Sequence, residues 1–438
     1  MKNKKFNRRE FIKRSSGAIA GLTAFPYFVP ATVFGKNKFV APSDKIRLGC
    51  IGVGGQGHWN MQAFLREKDA IVVALCDVNK NHLQKAKNTA DTFYGNSDCD
   101  LYNDYKELLV REDIDAVSIA LPDHWHGIIS IAAARAGKDI LGEKPLSHNL
   151  MEGRTICDAV KKYGRIWQTG SWQRSLNHFR FACELVRNGR IGKVHSVEVG
   201  LPGGHSNYGG TDIITSPPPS LDYDTWLGPA PYAPYASART NRNWRNNLDY
   251  GGGGLMDWIG HHCDIAHWGL DFDKTGPIEI SGYGEYPKTG LFNTATKYRI
   301  DTKYKNGVKM IIAGGHPDIC NGTMGTKWIG DEGWVWVSRG GSIDSSNKIL
   351  LSDKIKPNEI HLFKSPGHWR NFLDCVRSRK ETLTPCETAH RSVTPGHLGQ
   401  IAMLLNRKIK FKPETEEIIG DPIASRMLGR PMRSPYHL

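Results

Sequence analysis

The stretch IGVGGQGHWN, residues 51–60, places glycines at positions 52, 54 and 57, directly after the apolar run IRLGC and at the start of a segment with helical spacing. A strand that turns through G-x-G-x-x-G into a helix is a phosphate-binding element. The glycines permit the tight turn and let a pyrophosphate approach the free N–H groups of a helix N-terminus. Gly52, Gly54 and Gly57, with Gly55 and Gln56 between them, are therefore expected to hold a dinucleotide. Asp77 closes the next apolar run, AIVVALCD, 20 residues after Gly57. A carboxylate there accepts hydrogen bonds from the adenosine ribose hydroxyls and repels a 2′-phosphate, which favours NAD over NADP.

Working outward, the runs IRLGCIG, AIVVALCD, AVSIALP and DILGEKP read as strands, separated by helical patterns such as HWNMQAFLREK and GIISIAAARAG. Such alternation predicts parallel pairing with right-handed crossovers, a doubly wound sheet. A helix over 149–163 leads into RIWQTGSW, expected as the last strand of this domain. Residues 202–250 are rich in Pro, Gly, Asn and aromatics and read as an irregular functional loop. The glycine run and helix GGGGLMDWIGHHCDIAHWGL follow. Then PIEISGYGEY, TATKYRIDTKY, GVKMIIAGG and WIGDEGWVWVS carry the β-branched and aromatic content of strands joined as hairpins, with helices around 367–380 and 387–405. The expected division is a signal segment over 1–40, a dinucleotide domain over 44–170, and a substrate and oligomerisation domain over 171–438.

The formal charge of the 438-residue chain is +14, but the first forty residues hold nine Lys or Arg against one acid. The remainder carries only +6 and no dense basic run with interleaved aromatics, so a nucleic-acid partner is not expected. The basic start is followed by an apolar run broken by Gly17, Gly21, Pro26 and Pro30, too short and broken to span a bilayer stably. NRREFIK, with Arg8 and Arg9, resembles a twin-arginine export signal, so a periplasmic or extracytoplasmic destination and engagement of the twin-arginine machinery are expected, with a cytoplasmic protein bearing a basic terminus as the alternative. Export in folded form requires that the cofactor be bound tightly enough to travel. The nine cysteines show no C-x-x-C and no metal-type spacing, so no disulfide framework is expected, and Cys50 and Cys76 read as core residues.

Two further motifs carry chemistry. Glu143 and Lys144 in GEKPL end a later strand of the parallel sheet, where ligands gather, so Lys144 is expected at the nicotinamide end of the cofactor and near a substrate oxygen. In GGGGLMDWIGHHCD, Asp257, His261 and Asp264 share one helical face, from which His262 and Cys263 diverge. Asp257 is expected to orient His261 and support its protonated form, making His261 a base for a hydroxyl proton. Because His261 and His262 diverge, no metal is expected. Pro122, Asp123, His124 and His126 follow the third predicted strand near the nicotinamide. Trp172, Gln173 and Arg174 follow the fifth and are candidates for the sugar pocket, with Trp226 and Trp244 as stacking platforms.

These elements in this order resemble the Gfo/Idh/MocA family of glucose-fructose oxidoreductase, inositol dehydrogenase and rhizopine catabolism, over essentially everything after residue 44. The resemblance implies an N-terminal Rossmann domain followed by an α/β domain with a large open, mostly antiparallel sheet. It also implies NAD-dependent oxidation or reduction of sugar and polyol hydroxyls, with Lys144, Asp257 and His261 as catalytic groups, and assembly as a homodimer or homotetramer. WLGPAP and LGRPMRSPY look like a secreted branch whose members often retain NAD through turnover. That branch includes glycosidases that act by transient NAD oxidation and elimination, some with a tyrosine three residues before the histidine. Here that position is Trp258, and Tyr208, Tyr223 and Tyr250 are the alternative phenols.

Overall fold

The structure, a computed structural model, describes residues 41–438. The expected export signal lies outside the described residues. From Ile46 onward the chain builds two sheets. The first comprises β1 (Ile46–Ile51), α1 (Gly55–Leu65), β2 (Ala70–Cys76), α2 (Lys80–Tyr94), β3 (Asp100–Tyr102), α3 (Tyr105–Leu109), β4 (Ala116–Ile119), α4 (His126–Arg135), β5 (Asp139–Gly142), α5 (Leu150–Lys162) and β6 (Trp167–Thr169). All its pairings are parallel, in the order β3-β2-β1-β4-β5-β6. The order reverses at β1, and a crevice opens there at the carboxyl ends of the strands. β1, β2, β4 and β5 are nearly continuous in burial because helices cover both faces.

The second half contains α6 (Asn177–Arg187), β7 (Val194–Leu201), the short helices α7 (Tyr223–Leu227) and α8 (Ser237–Thr240), α9 (Gly253–Leu270), β8 (Glu279–Glu285), β9 (Lys297–Lys303), β10 (Lys309–Gly314), β11 (Gly325–Gly330), β12 (Gly333–Val337), β13 (Ile343–Ser345), α10 (His368–Ser378), α11 (Cys386–Leu405), β14 (Ile409–Lys412), β15 (Glu417–Ile418) and α12 (Pro422–Arg426). Nine strands pair in the order β13-β12-β11-β7-β10-β9-β8-β14-β15. The pairings are antiparallel except for β7 beside β10. Helix α9 is buried almost throughout because it packs on this sheet and on α6 and α11. One continuous apolar cluster runs from Val117 and Ile140 of the parallel sheet, through Ile156 of α5 and Ile259 of α9, to Val197 and Ile280 of the second sheet.

Strands β3, β7 and β13–β15 are not anticipated by the sequence reading. β3 is three residues on a sheet edge, largely exposed, with no apolar period to betray it. β7, VHSVEVGL, does alternate, and it buries Val197, Val199 and Leu201. All nine cysteines are free and buried. Among the described residues no helix is long and apolar enough to cross a membrane, and no group of three or more His, Cys, Asp or Glu is placed to hold a metal ion.

Candidate active site

The carboxyl ends of β1 through β5 each deliver one part of the site. After β1 the chain turns at Gly52, whose φ is +77°, a conformation that L side chains avoid; an added Cβ there would lie 2.3 Å from the Ala120 carbonyl. Gly57 brings α1 against β1 so closely that a Cβ would meet the Gly52 oxygen at 1.8 Å. Gly57 is thus a packing residue and does not line the cavity, whereas Gly52, Gly54, Gly55 and Gln56 do. The N-cap of α1 is Gly54, with no side-chain hydrogen bond to its first turn and no acid there. The helices α2, α3 and α5 are instead capped by Asn79, Asp104 and Asn149. The first turn of α1 therefore keeps its donors and partial positive charge for an anion.

The cavity that begins here has a volume of ≈ 640 Å³. Asp77 lies on its wall after β2, accepting from the Val53 and Asn79 backbone N–H groups at 2.9 and 2.8 Å. His82 stands 3.6 Å from the Asp77 carboxylate, which raises the imidazole pKa above its usual value. Lys144 lies on the wall after β5. In this strand order β2 and β5 are three spacings apart, roughly 14 Å, a separation that a dinucleotide spans. The glycine turn, uncapped helix and ribose-facing carboxylate fit a dinucleotide bound across the switch point.

At the far end, Lys144 Nζ donates to Asp257 Oδ1 and to the Asp257 carbonyl oxygen, both at 2.7 Å. Gly260 makes this approach possible, since its missing Cβ would sit 3.3 Å from Lys144 Cβ. Arg245 Nε donates to the same Asp257 Oδ1 at 3.0 Å. Burial raises the Asp257 pKa, but Lys144 and Arg245 outweigh it and hold the carboxyl well below the usual range. Asp123, on the same wall, has no such close partner. Burial pushes it up to about 8, against the pull of Arg245 and Lys144 and with the push of Asp257. Glu143 accepts from Asn60 Nδ2 at 2.9 Å, and burial raises its pKa.

Several expectations need correction. Asp257 does not orient His261, because its carboxylate is engaged by Lys144 and Arg245. His261 is 4% exposed, does not line the cavity, and has no hydrogen-bond partner at Nδ1. Burial, with Lys144, Arg339 and His262 nearby, holds it neutral, far below its usual pKa. His126 is not on the wall either; it is wedged behind it, Nδ1 2.7 Å from the Pro145 oxygen and Nε2 3.0 Å from the Leu121 oxygen. His124 is buried against Trp226 and Tyr250. Arg174 is 2% exposed and locked to Asp264 and Asp273, so it is a structural cation and not a pocket residue. That pairing also removes Asp264 from the site. Gln173 is fully buried, donating to the His261 carbonyl at 3.3 Å. Trp172 does not line the cavity but flanks His261, ring centroids 6.4 Å apart. Pro122, Trp226 and Trp244 do lie on the wall, whereas Tyr208, Tyr223 and Tyr250 do not. The Tyr223 hydroxyl donates to the Ala233 oxygen, and Tyr250 is fully buried. Arg245 and Arg242, also on the wall, are absent from the sequence reading because NRNWRNN has no period that would single them out.

Residues 46–171 match the description "Oxidoreductase family, NAD-binding Rossmann fold", and residues 184–438 match "Oxidoreductase family, C-terminal alpha/beta domain", the two parts of Gfo/Idh/MocA proteins. The chain belongs to the Gfo/Idh/MocA oxidoreductase family. This oxidoreductase is 32% identical over 388 residues to a myo-inositol 2-dehydrogenase of Thermotoga maritima, covering 86% of the chain and 100% of the relative. It is 28% identical over 209 residues to a glycosyl hydrolase family 109 protein of a Shewanella species, covering 43% of the chain and 44% of that protein. Its fold matches the WlbA dehydrogenase from Bordetella pertussis, solved in complex with NADH and UDP-GlcNAcA, with a TM-score of 0.62 at 18% identity, over 84% of this chain and 99% of that one. The oxidoreductase thus pairs an NAD-binding Rossmann domain with the family's second sheet.

Proposed function

We propose that this oxidoreductase is an exported dehydrogenase that holds NAD tightly and acts on a hydroxyl of a sugar or glycoside, with Lys144, Asp257 and His261 handling the hydroxyl proton. The observation that carries the reading is the contact of Asp257 with Lys144, which lies on the wall of the cavity at the carboxyl edge of the parallel sheet. Gly52, Gly54, Gly55 and Asp77 would hold the nucleotide, which when bound supplies the hydride acceptor. An ammonium has three N–H donors. Two of those of Lys144 go to Asp257, which leaves the third to polarise the substrate oxygen and favour loss of its proton. Asp257 stays ionised beside two cations and fixes the lysine. His261, one helical turn further along α9, keeps the neutral form a proton acceptor needs, but it stands behind the wall that carries Lys144, so Lys144 is the group that meets the substrate oxygen. The myo-inositol 2-dehydrogenase likeness supports a polyhydroxylated substrate. Assembly as a dimer or tetramer belongs to the same proposal.

The test is to denature the purified protein, identify the released nucleotide, and screen sugars, polyols and glycosides for NADH absorbance. NAD in the released fraction and reduction by a subset of the panel are expected. Lys144→Ala should lower kcat by about 10²- to 10⁴-fold while bound nucleotide persists. A second reading, elimination of an aglycone after transient oxidation, is favoured by the glycosyl hydrolase likeness. Aglycone release without NADH accumulation would replace the dehydrogenase reading with it.

A further inference from the structure

We propose that Arg339 is a docking point for a carboxylate, so that the substrate is an acidic sugar such as an aldonate or a uronate. This rests on the dehydrogenase reading and narrows its substrate class. Arg339 lies in the turn that follows β12, and its guanidinium is held between two indoles, Cζ 4.5 Å from the centroid of Trp172 and 4.6 Å from that of Trp258. The same two rings flank the imidazole of His261, at 6.4 and 5.5 Å between centroids. Arg339 Nε donates to Gln173 Oε1 at 3.0 Å, and Gln173 Nε2 donates to the His261 carbonyl at 3.3 Å. The cation is thereby tied to α9 at the level of His261.

What sets Arg339 apart is a missing counter-ion together with a buried donor left unpaired. Arg174 is answered by Asp264 and Asp273, Arg154 by Glu387 and Glu416, and Arg430 by Glu152, while Arg165 and Arg239, which have no carboxylate, donate to oxygens instead. Arg339 makes no ion pair among the described residues, and its Nη2 is buried without a hydrogen-bond partner. Burial draws its pKa down to about 10, opposed only by Asp257. Desolvating a guanidinium without an anion is costly, and a site that bears this cost is built for an anion that arrives with the ligand. The planar fork matches a carboxylate with two parallel hydrogen bonds, and the indoles fix the plane in which that carboxylate must lie. Arg339 as a whole is only partly buried, and with Nε given to Gln173 its two Nη groups are the donors left for a ligand carboxylate. A neutral sugar would leave it unanswered.

Calorimetry on the nucleotide-loaded protein, titrated with glucuronate and gluconate, with glucose and methyl glucoside, and with glucose 6-phosphate, decides the matter. The acids should bind about 10- to 100-fold more tightly than the neutral sugars, the range of a charge-assisted hydrogen-bonded pair. The preference should collapse in Arg339→Ala and return in part in Arg339→Lys. Equal affinity for acids and neutral sugars, a preference that survives Arg339→Ala, or tighter binding of the phosphate would each overturn the assignment. Where Arg339→Ala does not fold, the comparison in the unaltered protein still decides. Acids that bind without reducing NAD would uphold Arg339 and overturn the dehydrogenase. Neutral polyols that reduce NAD while acids neither bind nor react would do the reverse.

Discussion

Asp123 shows how one residue's environment sets its chemistry. It is 4% exposed, and burial raises its pKa to about 8 although Arg245 and Lys144 oppose the shift. At neutral pH it is therefore mostly protonated and able to donate, whereas Asp257, with its pKa driven down, accepts from Lys144 and Arg245. Two aspartates within one site have opposite protonation because one has cationic partners at hydrogen-bond distance and the other does not. The unfolded aspartate titrates near about 3.9, so between that pH and about 8 the folded state holds the extra proton. Its contribution to stability is full below the unfolded pKa and is lost as pH rises through the folded one. In melts of nucleotide-free protein, Tm should fall between pH 5 and pH 8 more steeply for the unaltered protein than for Asp123→Asn. Parallel curves would show that Asp123 titrates normally. The sequence places Asp123 beside the cofactor; its protonation depends on Arg245, Lys144 and Asp257, which lie far along the chain.

At the scale of elements, the junction between β6 and α9 depends on a buried ion-pair set. Arg174, in the turn after β6, donates through Nε and Nη2 to Asp264 of α9 at 2.8 and 2.9 Å, and through Nη1 and Nη2 to Asp273 at 2.7 Å. Its guanidinium also lies over Trp268, 5.2 Å from the ring centroid. Even so, burial raises Asp264 to about 6. Removing one partner of such a pair leaves a buried charge unanswered and costs about 3–5 kcal/mol. Arg174→Ala should therefore lose that much stability in a denaturant titration while leaving the ranking of substrates as it was. A changed ranking at unchanged stability would restore Arg174 to the sugar pocket. The i, i+4, i+7 spacing correctly puts Asp257, His261 and Asp264 along one helix, but it does not say that α9 passes Lys144 at one turn and Arg174 two turns later.

Across the whole molecule, the cavity has walls from both halves of the chain. Trp226 and Trp244, from the irregular segment before α9, face the glycine turn and the ends of β2 and β5. That segment is tied to the end of β2 by backbone hydrogen bonds from Asp222 N to the Val78 oxygen at 3.0 Å and from Lys80 N to the Ser220 oxygen at 2.8 Å. These contacts join the segment to the nucleotide-binding wall, an arrangement in keeping with the proposed export of the protein with its cofactor bound. Trp244→Ala should lose its nucleotide during gel filtration under conditions where the unaltered protein retains it. Lys in place of Arg8 and Arg9 should hold the protein in the cytoplasm with its nucleotide bound. Periplasmic recovery of the double Lys variant, or equal nucleotide retention by the two proteins, would contradict this account.

The local order of residues was sufficient for the parallel sheet, apart from its short edge strand β3, and for its cofactor. G-x-G-x-x-G after a strand, Asp77 at the end of the next and Lys144 at the end of a later one are all set by chain-local period, and parallel pairing then brings strand ends to one edge. The second half yielded β8–β12 and the helices α9, α10 and α11, but not α6, β7 or β13–β15, and neither its register nor the parallel β7–β10 pair at its centre, because nothing local says which distant strand a run will join. Only tertiary structure assigned partners. It gave Asp257 to Lys144 and Arg245 and withheld it from His261, turned Arg174 inward, and left Arg339 between two indoles without an anion. Charge pairing depends on distances of a few ångströms between residues a hundred or more positions apart, a quantity that composition and period do not encode.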